Sequence, residues 1–400
     1  MNMIYVVSRL KCFVAVKVLL LAATLGFSFA NVKAKAEESI GHVDAEASSS
    51  VDGITNLLNR GLDTPPKIEL IHITSVTIDP RNSKILYAST IDGLFKSIDR
   101  GENWSHVNKN IEMLGALAID PKNPSVMYAN AIMDDVCAGI IKSTDSGVSW
   151  HMLLDLKSCR QFSINILIDP DNSSIVYVTD NECIHKSTDA GLNWEKMLLD
   201  PDYLNNRILA IDLKKPSILY AGIITFDLPI KIFKSLDVGK NWIDINNGID
   251  NMIEKSFYFS YLKAIAVSTY DSNLIYALFR SQLFKSVDGG NSWKELKNTP
   301  SRNNDAFHYK ILVTNNPKIM YLDTSKGLYF SGNGGKSWKL RLTQHTVSSR
   351  SSEFITVDPY NPKIIYAGSI HVLYRSTNTG RTWKDIARGF IFKNKNTTEQ

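Results

Sequence analysis

An eight-residue box, Ser-x-Asp-x-Gly-x-x-Trp, first met at Ser97–Trp104, recurs six more times and leaves the chain few folds to choose from. The later copies run from Ser143 to Trp150, Ser187 to Trp194, Ser235 to Trp242, Ser286 to Trp293, Ser331 to Trp338 and Ser376 to Trp383, the last two with Asn in place of Asp. The 400-residue sequence has seven Trp, and every one of them closes a box. Their residue numbers differ by 46, 44, 48, 51, 45 and 45, a period that means a repeat architecture rather than a string of unrelated domains.

The residue types of the box suit a self-satisfied turn between two strands. A short carboxylate two positions before a Gly accepts bonds from nearby backbone amides, Gly supplies positive φ, and Ser adds a hydroxyl. Trp, at the start of the outgoing strand, buries a large apolar face and offers its indole N–H to a backbone acceptor. Asp99, Asp145, Asp189, Asp237 and Asp288 could also be read as ligands for a metal or substrate. Asn333 and Asn378 in the last two boxes keep the acceptor and discard the charge, a swap that a turn survives and that weakens a carboxylate ligand site. Trp104, Trp150, Trp194, Trp242, Trp293, Trp338 and Trp383 are expected to be structural in the same way.

Between boxes one unit repeats. An apolar strand ends in an Asp-Pro turn, as at Ile78-Asp79-Pro80, Ile119-Asp120-Pro121, Ile168-Asp169-Pro170 and Val357-Asp358-Pro359. A second strand carries Tyr87, Tyr128, Tyr177, Tyr220, Tyr276, Tyr321 or Tyr366, and a third places an apolar pair and usually a basic residue before the box, as in Leu94-Phe95-Lys96-Ser97. The strand that begins at the Trp is the fourth.

On these boxes the sequence resembles the Asp-box (bacterial neuraminidase repeat) β-propellers, from about Ile68 to Phe390. That group includes sialidases, xyloglucanase-type glycoside hydrolases, the sortilin ectodomain and photosystem II assembly and stability factors. The expected fold is all-β: a seven-bladed β-propeller of four-stranded antiparallel blades with an Asp box between strands three and four of each blade. A closed ring sandwiches each sheet between two neighbours and leaves only short edges, which favours it over an open array.

Residues 1–36 read as a secretory signal, with Arg9, Lys11 and Lys17 ahead of the apolar run Val18 to Ala30 and small residues for cleavage at Ser28-Phe29-Ala30 or Ala34-Lys35-Ala36; an uncleaved anchor is the alternative. The full chain has 45 Lys and Arg against 40 Asp and Glu, but five of the basic residues and none of the acidic ones lie in that segment. The mature chain, expected to be periplasmic or secreted and to have no transmembrane span, is formally neutral, so net charge suggests neither nucleic acid nor an anionic membrane surface. Residues 37–66 read as a linker whose Ile54 to Leu62 resembles an extra closing strand, residues 67–390 as the propeller, and residues 391–400 as a polar tail.

Alignment of the units on the Asp-Pro turns puts Arg207, Lys263, Tyr309 and Glu353 at the top of four successive innermost strands, on the face opposite the boxes, where loops surround the channel mouth. Tyr258 and Tyr261, with Phe257 and Phe259, lie in the loop between blades four and five; Phe307, His308 and Tyr309 lie in the next. Together these are the candidate ligand-binding set; their alternative is solvated or packing loop residues. Asp134 and Asp135 are the most conspicuous paired carboxylates. Cys159 is the shared candidate for one disulfide, with Cys137 or Cys183 as partner. The eight His show no metal-ligand spacing and no phosphate-cradling Gly loop is present, so neither metal nor cofactor is expected.

Two functions remain open. The resemblance to sortilin and the photosystem factors implies a non-catalytic scaffold that binds a protein or peptide at the channel mouth. The resemblance to sialidases and xyloglucanases implies a glycoside hydrolase or a carbohydrate-binding propeller. Hydrolysis needs carboxylates facing across a cleft, or the Arg cluster and Tyr nucleophile of sialidases. Neither set maps onto the sequence: the Phe/Tyr-Arg-Ile-Pro signature is missing, Phe279-Arg280-Ser281 being the nearest fragment, and the chain has residues for one propeller where xyloglucanases form a cleft between two.

Overall fold

The computed structural model describes residues 72–108, 111–133, 139–156, 165–180, 183–197, 199, 206–223, 231–249, 262–300, 308–343, 354–369, 371–387 and 390. These form 28 strands and no α-helix, arranged as seven four-stranded sheets, each a simple antiparallel meander in sequence order. In blade one the strands are Ile73–Ile78, Leu86–Thr90, Gly93–Ser97 and Ser105–Asn108. Blade seven runs Phe354–Val357, Ile365–Ser369, Val372–Ser376 and Lys384–Asp385. The seven-bladed β-propeller expected from the box period is the fold observed.

Burial changes across each blade in the way a ring of sheets requires. Second strands are buried along their whole length, as in Leu86–Thr90, Ile275–Phe279 and Ile365–Ser369, because both faces meet a neighbouring blade. First strands are only half-buried, and fourth strands are mostly exposed at the rim. First strands of adjoining blades lie side by side, and side chains join them: Thr77 Oγ1 donates to the Leu117 carbonyl at 3.2 Å, and Ser75 Oγ to the Gly115 carbonyl.

The core is therefore a set of seven layers between blades. Each contains the second-strand Tyr of one blade and first-strand apolar residues of the next: Tyr87 with Ile111 and Ile119, Tyr128 with Ile166 and Ile168, and so on to Tyr321 with Ile355. The seventh layer places Tyr366, Leu373 and Ile386 of blade seven against Ile73, Val76 and Ile78 of blade one, which closes the ring. All seven Tyr are at most 2% exposed. At about 25 cal/mol per Å² of apolar surface removed from water, burial of these layers favours folding.

Polar bonds reinforce the closure. Glu102 of blade one receives Arg375 Nη2 at 2.7 Å and Lys384 Nζ at 2.5 Å, while Tyr360 Oη donates to the Pro80 carbonyl at 2.5 Å. Phe390 makes an isolated parallel bridge with Trp104 and stacks on its indole, with centroids 4.7 Å apart. The extra closing strand expected over Ile54 to Leu62 lies outside the described residues, as do the signal, linker and tail.

Candidate functional site

The boxes occupy one face of the ring and are self-contained. In box one Ser97 Oγ donates to Asp99 Oδ1 at 2.8 Å and accepts the Gly101 N–H at 2.8 Å, while Asp99 accepts the Asn103 N–H at 2.9 Å and Asn103 Nδ2 at 2.7 Å. The same four bonds recur with Ser149, Asn193, Asn241 and Ser292 as the polar partner. In box six Asn333 accepts the Ser337 N–H through its carbonyl and turns its amide to donate to Ser337 Oγ at 2.8 Å; Asn378 does the same with Thr382. The five carboxylates act as turn acceptors, and the two Asn fill the same place without charge.

Those bonds favour the ionised form. Ser149, through its hydroxyl and its N–H, holds the Asp145 carboxyl at about 2, and the Asn193 and Asn241 N–H groups hold Asp189 and Asp237 there. Ser292 does so for Asp288; at Asp99 burial pushes upward, but the bonds from Asn103 and Ser97 outweigh it and the net shift is down. A second set of carboxylates is used in the turns between first and second strands. Asp79, Asp120, Asp169, Asp212 and Asp358 are buried and accept the N–H groups two and three residues on, as at Asp169 with Asp171 (2.8 Å) and Asn172 (3.0 Å).

The opposite face, formed by hairpins between second and third strands and by the tops of the innermost strands, is where the sequence places its binding set. The pairing of Asn206–Ile211, Leu262–Val267 and His308–Val313 with their second strands skips one residue in each case: between Asn206 and Ile208, Leu262 and Ala264, and His308 and Lys310. The skipped residues are Arg207, Lys263 and Tyr309. Three of the aligned candidates thus share one structural position, a bulge at the channel-mouth end of the inner strand in three consecutive blades; Thr74 holds it in blade one. Bulges re-aim a side chain out of the regular alternation. His308 and Tyr309 belong to this strand, not to the preceding loop, because His308 already pairs with Thr324. Tyr309 is exposed. Glu353, Tyr258 and Tyr261, together with Phe257, Phe259, Phe307, Asp134 and Asp135, lie outside the described residues.

Lys310, beside the bulge, is a residue that the sequence alignment did not single out. It is exposed by surface area, yet the inner strands crowd it, so loss of hydration lowers its pKa against the attraction of Asp323. Its Nζ donates to the Ile355 carbonyl of blade seven at 3.2 Å.

Blade three departs from the others on this face. In blades one and six the hairpin between second and third strands is Thr-x-x-Gly, closed by Thr90 Oγ1 to the Gly93 carbonyl (2.8 Å) and by Thr324 Oγ1 to the Gly327 carbonyl (2.9 Å). In blade three the corresponding ends are Asp180 and Cys183, and Asp180 Oδ1 accepts the Cys183 N–H at 2.7 Å. His185 stands where blade one has Phe95, and its Nε2 lies 2.8 Å from Asp180 Oδ2 and 3.4 Å from Cys183 Sγ. All three residues are buried. Burial lowers the pKa of His185, but the bonds to Asp180 and Cys183 prevail and raise it to about 9. Cys183 is a free thiol here; Cys137 and Cys159 lie outside the described residues. The readable signal was Asp-x-x-Cys-x-His across a tight hairpin, which rules of linear metal-ligand spacing do not single out.

No protein-family model matches the chain, and no curated protein matches it in sequence. Solved structures do. The GH74 xyloglucanase from Xanthomonas campestris is similar at 15% identity over 80% of this chain and 55% of that chain, with a TM-score of 0.62. The GH74 enzyme from Niastella koreensis is similar at 18% identity over 79% of this chain and 54% of that one, with a TM-score of 0.61. YCF48 bound to D1 peptide is similar at 15% identity over 77% of this chain and 94% of that one, with a TM-score of 0.52. The chain thus spans about half the length of the two GH74 enzymes. At these identities the likeness is one of fold, and the class that fold defines, the seven-bladed propellers of four-stranded blades, holds glycoside hydrolases and peptide-bound proteins alike.

Proposed function

We propose that the protein is an exported, non-catalytic β-propeller that binds a protein or peptide partner on its channel-mouth face. The observation that carries this reading is the register of the inner strands: Arg207, Lys263 and Tyr309 occupy one bulge position in three consecutive blades, beside Lys310. A cationic and aromatic arc on a rigid scaffold suits recognition of a polar, carboxylate-bearing peptide chain better than it suits glycosidic bond cleavage, which needs a proton-donating acid and a second carboxylate. The carboxylates of the boxes and of the Asp-Pro turns are already engaged as backbone acceptors and are unsuited to that chemistry. Similarity to the structure of YCF48 bound to D1 peptide, which this chain matches over 94% of its length, adds support.

The test pairs binding with hydrolysis. The wild-type protein and an Arg207→Ala/Lys263→Ala variant are used to capture partners from an envelope extract, and both are incubated with a panel of chromogenic glycosides and polysaccharides. The expected result is one partner retained by wild type and lost by the variant, at an unchanged melting temperature and with no sugar released. Sugar release that survives purification and vanishes on mutation of a channel-mouth carboxylate would replace this reading with the hydrolase.

A further inference from the structure

We propose that Asp180, Cys183 and His185 form a divalent transition-metal site of the zinc class in the blade-three hairpin. The three offer one carboxylate oxygen, one sulfur and one imidazole nitrogen, all within 4.8 Å of one another, and among the described residues no other group of His, Cys, Asp or Glu converges in this way. Each is more than nine-tenths buried. A nitrogen, sulfur and oxygen donor set suits a borderline cation such as Zn²⁺ or Co²⁺ and does not suit Ca²⁺ or Mg²⁺, which take oxygen ligands.

Two features favour a cation over a plain buried ion pair or a nucleophilic triad. Both Asp180 Oδ2 and Cys183 Sγ approach the same ring atom, Nε2 of His185. A proton relay would need the thiol and the carboxylate on opposite nitrogens. A single Nε2–H serves one acceptor well, whereas a cation serves several donors at once. The hairpin also departs from its sisters at all three positions together: Thr90, Gly93 and Phe95 in blade one, and Thr324, Gly327 and Tyr329 in blade six, correspond by strand register to Asp180, Cys183 and His185. The Sγ to Nε2 separation of 3.4 Å already matches two ligands on one tetrahedral ion, and the 2.8 Å between Nε2 and Oδ2 would open to about 3.3 Å with the metal in place of the shared proton. Three protein donors leave the fourth position for a solvent molecule or a group brought by a partner.

The test is a cobalt titration of the reduced, chelator-treated full chain. It should take up one Co²⁺ per chain with a thiolate-to-cobalt charge-transfer band, and Zn²⁺ should displace it. Cys183→Ser and His185→Gln should remove the band and weaken uptake on the order of 100-fold. Asp180→Asn, which keeps the carbonyl that accepts the Cys183 N–H, should weaken uptake with little change in melting temperature. A Cys12→Ser/Cys137→Ser/Cys159→Ser variant, in which Cys183 is the last thiol, should keep the band and decides the matter if His185→Gln fails to fold. No uptake by the folded, reduced wild type, a band that survives Cys183→Ser, or a band lost in the triple Ser variant would each overturn the site.

Discussion

Inside each box, one residue the eight-residue pattern leaves free carries a conformational demand. Arg100, Ser146, Ala190, Val238 and Thr379, which precede the box Gly, have φ between 59° and 62°, and Gly289 and Gly334 fill that place in boxes five and six. The left-handed backbone there points the N–H at the turn between first and second strands, as from Ser146 to the Ser125 carbonyl at 2.9 Å. For an L residue that region costs roughly 1–2 kcal/mol, partly offset by the greater unfolded-state entropy of Gly. Ser146→Gly should therefore raise stability by up to about 1 kcal/mol, read as a higher melting temperature. The box Gly beside it is needed twice over: Gly147 has φ of 90°, and a Cβ there would collide with Leu94 of the preceding blade. The box carboxylates also set a pH dependence. Their folded pKa values of about 2 lie below the ordinary Asp value near 4, so their contribution is complete above about pH 4 and is lost as the pH falls toward 2. Melting temperature should fall across that window, and Asp189→Asn, which imitates boxes six and seven, should flatten the fall.

The basic residue before the box Ser is a latch between blades in blades two, three, four and seven. Lys142, Lys186 and Lys234 donate from Nζ to the carbonyls of Ala190, Val238 and Gly289 in the next box, at 2.8, 3.0 and 2.9 Å, and Arg375 does so to Arg100 at 2.9 Å across the ring closure. The ammonium groups of Lys142 and Lys234 sit over the rings of Tyr128 and Tyr220, 5.3 and 5.6 Å from the centroids, so each latch covers the aromatic layer it spans. Lys186→Met keeps the apolar stem and removes the donor; the loss should be about 1–2 kcal/mol by denaturant titration. A charge this buried could be mistaken for a binding residue from sequence, and its partner shows that it is structural. The alternation before each box was legible, whereas the carbonyl that it meets lies about 50 residues away and was not.

Seven equal layers leave the ring one special seam, where the chain must hold its two ends together. Trp104 there gives its indole N–H to the Ile386 carbonyl at 3.3 Å, and Phe390 stacks on the face of the same ring and edge-on to Phe95, 5.1 Å away. Phe390→Ala should cost about 2 kcal/mol, since the side chain is only partly buried, and should lower the melting temperature by a few degrees. The same substitution should leave binding at the channel mouth unchanged, because it acts on the outer strand of blade one. If unfolding instead separates into two transitions, closure at this seam is not what makes the ring cooperative.

The number of blades, their strand order and the satisfied turns could be read from the sequence, because they arise from interactions within one 45-residue unit that is written seven times; the recurring Tyr was visible too, but only the packing of one blade on the next makes it a layer. The box period and the Asn at positions 333 and 378 were enough to assign the box carboxylates to turns. The bulges that put Arg207, Lys263 and Tyr309 in register were half visible, as an alignment of strand tops without the register slip itself. Lys310, the blade-to-blade latches and the Phe390 seam were not visible, since their partners belong to other repeats and only closure of the ring brings them near. The Asp180, Cys183 and His185 cluster shows the same limit within one hairpin: three ordinary residues become a converging donor set only when an antiparallel turn folds the first back over the other two and alternation puts Cys183 and His185 on one face.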